Sequence, residues 1–284
     1  MTGPSPTPAE ADGRADLHTH SHYSDGVLAP AELVRSASQA GIQALALTDH
    51  DTVAGLAEAA AESKRLGIAF IPGVELSSLH HGMEVHILGY GMDPKNPELL
   101  AALERFTQAR RTRIEKMVSN LRGLGVKITL DQVLTEAGRG PLGRPHLAAA
   151  LLKAGLVKNF DEAFAVYIGR RSPAYVEKYR LLPKEAVDLI HAAGGLAVIA
   201  HPLIGRMTYD GIVALLAVGV DGLEVRHPKM PSEQGERLLQ LTRERGLLAG
   251  GGSDFHGENR SDAPLGQSTV PMSYAAPLLK GVRA

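Results

Sequence analysis

The chain has 284 residues, 44% hydrophobic and 21% charged, with a formal net charge of −1. That is the balance of an ordinary globular protein, long enough for one large domain or one domain carrying a second. No cysteine is present, which excludes disulfides and thiolate metal sites, so a bound metal must use nitrogen and oxygen ligands.

In chain order, residues 1–13 (MTGPSPTPAEADG) lack an apolar core and a basic start, and are expected to be a disordered tail, not a signal peptide. Short apolar runs follow, most ending in polar residues: 15–20 (ADLHTH), 43–49 (QALALTD), 69–76 (AFIPGVEL) and 84–90 (EVHILGY). Three more lie at 196–201 (LAVIAH), 222–226 (GLEVR) and 247–251 (LLAGG). Their length and flanking Gly or Pro predict buried strands. Helical patterns at 30–40, 53–66, 183–192 and 231–245 separate many of them, three opening on a proline that a first turn tolerates. Alternating strand and helix predicts a parallel α/β architecture with ligands at the carboxyl ends of strands. Seven strand candidates favour a small or distorted barrel over an eightfold one.

Residues 98–180 break this rhythm. They predict successive helices at 98–124, 130–137, 147–154 and 161–167, a helical insertion between two parts of a barrel domain (14–97 and 181–284). The insertion holds 15 Lys and Arg against 8 Asp and Glu, a balance of +7, and the remainder is −8. A basic cap over an acidic body suits an anionic substrate above a cation site, although most of 105–116 reads as a solvated helix face. No apolar run is long enough to span a membrane, the composition fits the cytoplasm, and no obligate protein partner is implied.

Twelve histidines are the unusual count, and they fall largely inside short motifs. His18 and His20 are two apart on a strand and point to the same side. Asp25 follows in a Gly-containing turn. His50 lies in TDHD at a strand exit, and Glu75 ends FIPGVE, where a buried carboxylate wants a partner. His86 sits early in its strand, which fits poorly with a carboxyl-end site. His201 leaves the strand LAVIA, and Asp254 and His256 are two apart after a glycine run that permits close backbone approach. These nine ligands exceed the needs of one ion and suffice for two or three divalent transition-metal ions of the Mn, Fe or Zn type. Multinuclear sites activate a water as nucleophile and neutralise phosphoryl oxygens.

The motifs DLHTHSHYSDG (16–26), TDHD (48–51), PGVEL (72–76), HILGY (86–90), AHP (200–202) and SDFH (253–256) resemble the PHP (polymerase and histidinol phosphatase) family. The resemblance implies a distorted (β/α)7 barrel with a trinuclear metal centre held by His18, His20, Asp25, His50, Glu75, His86, His201, Asp254 and His256; manganese is the metal expected first, ahead of iron and zinc. The inserted helical domain is similar to that of stand-alone bacterial members, which remove the 3′-phosphate of nucleoside 3′,5′-bisphosphates or act as 5′-to-3′ exoribonucleases on short RNA. GRPHL (143–147) and YVEK (175–178) also resemble that group, implying that Arg144, His146 and Lys178 hold a substrate 5′-phosphate. The expected substrate is therefore a small nucleotide or a short 5′-phosphorylated oligonucleotide. Histidinol phosphatase activity and a non-catalytic metal-binding module stand behind these readings. Asp16 is expected to orient a ligating histidine, His22 and Tyr23 to line the entrance, His80 and His81 to form a turn, His191 to lie on a helix face, and Arg226 and His227 to border the substrate.

Overall fold

The computed structural model describes residues 13–137, 141–204, 207–257 and 264–281; of the expected tail, 1–12 lie outside the described residues. The chain divides into two compact units, Met1–Leu100 with Leu181–Ala284, and Ala101–Arg180.

The first unit is built on eight strands: β1 (Arg14–Asp16), β2 (Ala44–Leu47), β3 (Ala69–His80), β4 (Met83–Tyr90), β5 (Leu196–Ile199), β6 (Gly222–Arg226), β7 (Leu248–Gly251) and β8 (Val270–Pro271). Their order is β7-β6-β5-β4-β3-β2-β1-β8. The chain beyond β1 and β7 then closes the sheet. Leu17 N donates to Gly251 O (3.2 Å), Asp254 N to His18 O (2.9 Å) and His20 N to Phe255 O (2.9 Å), with a parallel bridge between Thr19 and Phe255. The fold is an α/β barrel of seven strands, distorted as expected, with β8 added antiparallel beside β1. Seven apolar runs had marked these strands; β8 has two residues, too short to show a period.

One expectation needs correction. The barrel is not wholly parallel, because β4 runs antiparallel to both β3 and β5. The cause is local: His80 pairs with Met83 across His81 and Gly82, whose φ values of 47° and 79° form the tight turn that joins antiparallel strands. His81 is thus a turn residue as expected, whereas His80 ends the strand.

Helices α1 (Pro30–Gln39) and α2 (Leu56–Leu66) follow β1 and β2. Helix α1 buries Leu33, Val34 and Ala37 on one face, the three-to-four spacing of an amphipathic helix. In chain order come α3 (Pro97–Gly123), α4 (Leu130–Ala137), α5 (Arg144–Lys153), α6 (Phe160–Glu162), α7 (Pro183–Ala192), α8 (Tyr209–Leu215), α9 (Ser232–Arg245) and α10 (Met272–Gly281). The sequence pattern had not marked α8 and α10, which are short or carry an internal proline. Ala275 and Leu278 of α10 join Ala15, Leu17, Ala44, Ala46, Ile71, Leu88, Tyr90 and Val198 in one buried cluster, the core beneath the strand ends.

The second unit has its own core. Ile114, Met117, Val118 and Leu121 of α3 pack with Val133 of α4 and Leu147, Ala148 and Leu151 of α5. After α6 the chain continues as a π-helical turn, Ala163–Ile168. Among the described residues no helix is long and apolar enough to cross a membrane.

Candidate metal centre

The strand ends bring the nine predicted side chains together, although 238 positions separate His18 from His256. Glu75, fully buried on β3, is the hub. Its Oε2 lies 3.2 Å from His18 Nε2, 3.3 Å from His20 Nε2 and 3.1 Å from His50 Nδ1. Its Oε1 lies 2.7 Å from His86 Nδ1 and 3.2 Å from His201 Nε2. Asp254 Oδ1 stands 3.3 Å from His18 Nε2 and 3.1 Å from His20 Nε2. Asp25 is the most exposed member, with Oδ1 3.2 Å from His256 Nε2 and 3.9 Å from His20 Nδ1, and Oδ2 3.9 Å from His50 Nε2.

The reversal of β4 explains His86. On a strand running against its neighbours, an early position sits level with their carboxyl ends: His86 pairs with Ser77, and its carbonyl accepts from Ala200 N (3.0 Å). The misfit seen in the sequence came from assuming a parallel strand.

The donor set fits cations. Three groups, His18 with His20, Glu75 and Asp254, His20 with Asp25, His50 and His256, and His50 with Glu75 and His86, each offer ligand atoms within 4.8 Å of one another. In the first group, five of the six separations lie between 3.1 and 3.3 Å. A tetrahedral ion with bonds of about 2.0–2.1 Å holds its ligand atoms roughly 3.3–3.4 Å apart. His50 Nδ1 is buried without a hydrogen-bond partner despite its closeness to Glu75, as a nitrogen aimed at an ion would be.

Charge is organised to match. Burial works to raise the Glu75 carboxyl, but His50, His86 and His18 outweigh it and hold it well below the usual range. Burial opposes the cation of His20, yet hydrogen bonds to Asp254 and Glu75 push that imidazole up to about 10. His86 is likewise pushed up to about 9, with Glu75 overcoming burial. For His50 burial wins, and its imidazole falls to about 4.

Backbone conformation fixes two of the acids and bases. His201 and Asp254 have φ of 30° and 50°, a left-handed region that costs non-glycine residues of the order of 1–3 kcal/mol and clusters at functional sites. Gly252 supplies the close approach expected of the glycine run, since a Cβ there would fall 2.5 Å from His18 N.

Several supporting residues went unmarked or carry different roles. Asp16 does not touch an imidazole: its Oδ1 accepts from Ser253 N (2.9 Å) and His18 N (3.4 Å) and so fastens β1 to the loop after β7. Burial pushes its carboxyl up to about 6 against the pull of those bonds. Asp49, unmarked in the sequence, accepts from Ser21 N, Ser21 Oγ and Ser24 Oγ at 2.6–2.7 Å and shapes the turn carrying Asp25. His227 is buried, its Nε2 3.2 Å from Asp254 Oδ2, whereas Arg226 is exposed. His191 is paired with Asp221 at 2.7 Å, and His22 packs against Tyr23 with ring centroids 4.7 Å apart.

Arg144, His146 and Lys178 belong to the second unit. GRPH does start a helix: His146 Nδ1 accepts from Gly143 N (3.1 Å) and caps α5. The Arg144 guanidinium lies 5.3 Å from the Phe164 ring and 5.5 Å from that of Tyr175, and Arg113 lies 5.5 Å from Tyr175. Lys178, half-buried, follows Glu177, which pairs with Arg180 at 2.7 Å.

Comparison with known proteins agrees with this geometry. The chain is 38% identical over 245 residues to a 5′-3′ exoribonuclease of Haemophilus influenzae, covering 85% of this chain and 89% of that one. It is 36% identical over 278 residues to a 3′,5′-nucleoside bisphosphate phosphatase of Chromobacterium violaceum, covering 95% and 96%. A crystal structure of a candidate metal-dependent phosphoesterase from Bifidobacterium adolescentis superposes with a TM-score of 0.81 at 33% identity, over 95% of this chain and 96% of that one. The family described as PHP domain matches residues 16–191, and the chain belongs to that family.

Proposed function

We propose that this protein is a metal-dependent phosphoesterase that hydrolyses the 3′-phosphate of nucleoside 3′,5′-bisphosphates, such as adenosine 3′,5′-bisphosphate to AMP. The observation that carries the reading is Glu75, one carboxylate whose two oxygens face five imidazoles at 2.7–3.3 Å. Glu75 would hold two or three ions together with His18, His20, Asp25, His50, His86, His201, Asp254 and His256. Manganese is the ion we favour, iron and zinc suiting the same donors. Bound divalent cations supply charge for the phosphoryl oxygens and acidify a water at neutral pH. The residues of the chain do the rest. Asp254 and Glu75 hold His18 and His20 in place, His227 fixes Asp254, and Asp49 holds the turn that presents Asp25. Arg144, His146 and Lys178 are assigned to the 5′-phosphate, where a planar guanidinium binds bidentately and an ammonium adds a point charge. The reaction takes place in the cytoplasm, without an obligate protein partner.

The assay is phosphate release from adenosine 3′,5′-bisphosphate by purified protein with Mn²⁺. Turnover is expected for the wild type and lost in His50→Ala; equal release by both would end this reading.

A second reading, favoured by the similarity to a 5′-3′ exoribonuclease, is trimming of short RNA from a 5′-phosphorylated end with the same residues. Long single strands call for stacking aromatics along a track, and this chain has five Phe, seven Tyr and no Trp. Short substrates are therefore expected. Faster cleavage of a long oligomer than of a dinucleotide would contradict that expectation.

A further inference from the structure

Glu224 is a fully buried acid on β6, in the run GLEVR, and it belongs to none of the three candidate ligand groups. Its two oxygens have separate tasks. Oε1 lies 3.1 Å from His18 Nδ1, and Oε2 accepts from the backbone N–H of His201 at 2.6 Å. The β6–β7 ladder shifts register between Glu224 and Arg226, the kind of irregularity that re-aims a side chain.

The two partners are neighbouring rings, stacked with centroids 5.8 Å apart, that face different oxygens of Glu75. His18 Nε2 faces Oε2 of that carboxylate, and His201 Nε2 faces Oε1. A carboxylate only accepts hydrogen bonds, so Glu224 draws a proton of His18 to Nδ1 and turns Nε2 toward Glu75, His20 and Asp254. Its other oxygen satisfies a backbone N–H in the strained φ 30° conformation of His201, which would otherwise be costly to hold.

We propose that Glu224 is a positioning residue that sets the ring orientation of His18 and the backbone of His201 at once, and so fixes how two imidazoles meet the two oxygens of Glu75. The inference rests on the metal-centre reading given above. An amide cannot replace it, because glutamine has one acceptor oxygen and both partners are donors. In Glu224→Gln, either the amide N–H₂ faces His18 Nδ1 and forces that proton onto Nε2, or the His201 N–H loses its acceptor.

The test is Co²⁺ titration of chelator-stripped full-length protein, read by visible absorption, with far-UV circular dichroism as the fold control. Wild type is expected to bind Co²⁺ with a defined ligand-field spectrum. Glu224→Gln is expected to bind one ion roughly 10- to 100-fold more weakly, with an altered spectrum and unchanged dichroism. Glu224→Asp retains two acceptors but is one methylene short, so it should show a smaller loss in the same direction. Binding by Glu224→Gln within twofold of wild type, with the same spectrum, overturns the proposal. Should that variant not fold, the same criterion applied to Glu224→Asp decides. A wild type that takes up no Co²⁺ would instead strike the metal-centre reading itself, so the two failures are distinct.

Discussion

The two compact units treat charge in opposite ways. In the barrel, imidazoles and carboxylates alternate at about 3 Å around Glu75, and each sign answers the other. In Ala101–Arg180, Arg113 and Arg144 flank the ring of Tyr175. Burial, with Arg144 adding to it, depresses the guanidinium of Arg113. The first arrangement is a cage of lone pairs suited to cations; the second is a concentration of positive charge that an anionic group would relieve. The contrast also lies in construction. The cage is assembled from strand ends far apart in sequence, whereas the cationic cluster joins the middle of α3, the start of α5 and the segment that carries Tyr175.

The largest effect expected from breaking this contrast is at Glu75. Glu75→Gln replaces one shared acceptor with a donor among five imidazoles, and should lower kcat/KM by at least about 10³-fold, roughly 4 kcal/mol, with loss of bound metal by elemental analysis. A variant retaining both its ions and its turnover would remove Glu75 from the centre.

On the other side, Arg144→Met should leave metal content unchanged and raise KM for a 5′-phosphorylated substrate roughly 10- to 100-fold, the worth of a charge-assisted hydrogen bond of about 1.5–3 kcal/mol. Steady-state kinetics on substrates with and without the 5′-phosphate check this. An equal effect on both would take Arg144 out of phosphate recognition.

Gly252→Ala probes the tight seam between β1 and the loop after β7. The added methyl would crowd His18 N, so unfolding in denaturant should show a loss of about 1–3 kcal/mol. An unchanged midpoint would mean that the seam yields.

The smallest effect concerns pH. His20 and His86 are raised to about 10 and about 9 in the folded protein without metal, through their carboxylate partners. Groups raised above their unfolded value near 6.5 contribute fully below that value and lose the contribution as pH rises through 9 to 10. Glu75 and Asp254 are lowered instead, so their contribution is present above about pH 4 and lost on acidification. Chelated protein should therefore have its highest Tm between about pH 4.5 and 6.5 and decline toward pH 10. Bound metal needs deprotonated imidazoles, so added Mn²⁺ should stabilise most on the alkaline side, where the chelated protein declines. Parallel melting curves at each pH test the sign.

Much of the barrel and of the ligand cluster could be read from the chain because strand ends carry short polar signatures: HTH, TDHD, AHP and SDFH each follow an apolar run. His86 was readable only as a misfit, since its place depends on the direction of β4, which the turn at His81 and Gly82 decides. Glu224 and His227 were less visible. An acid inside GLEVR was itself a signal, but its partner His18 lies 206 positions away, and no local pattern carries that pairing. The helical unit follows another logic. Its helices show in periodicity, whereas the stacking of Arg113 and Arg144 on one ring depends on how those helices pack.

The closing seam has a consequence for how the molecule is made. His18, His20 and Asp25 emerge early in synthesis, but their counterparts Asp254 and His256 come more than 200 residues later, and along one edge Leu17 to His20 pair with 251–255. Contacts of such long range form slowly and late. A growing polypeptide thus holds no completed centre until its last barrel strand has left the ribosome, which shields a cell from half-made hydrolase and leaves the first histidines exposed to stray metal in the meantime.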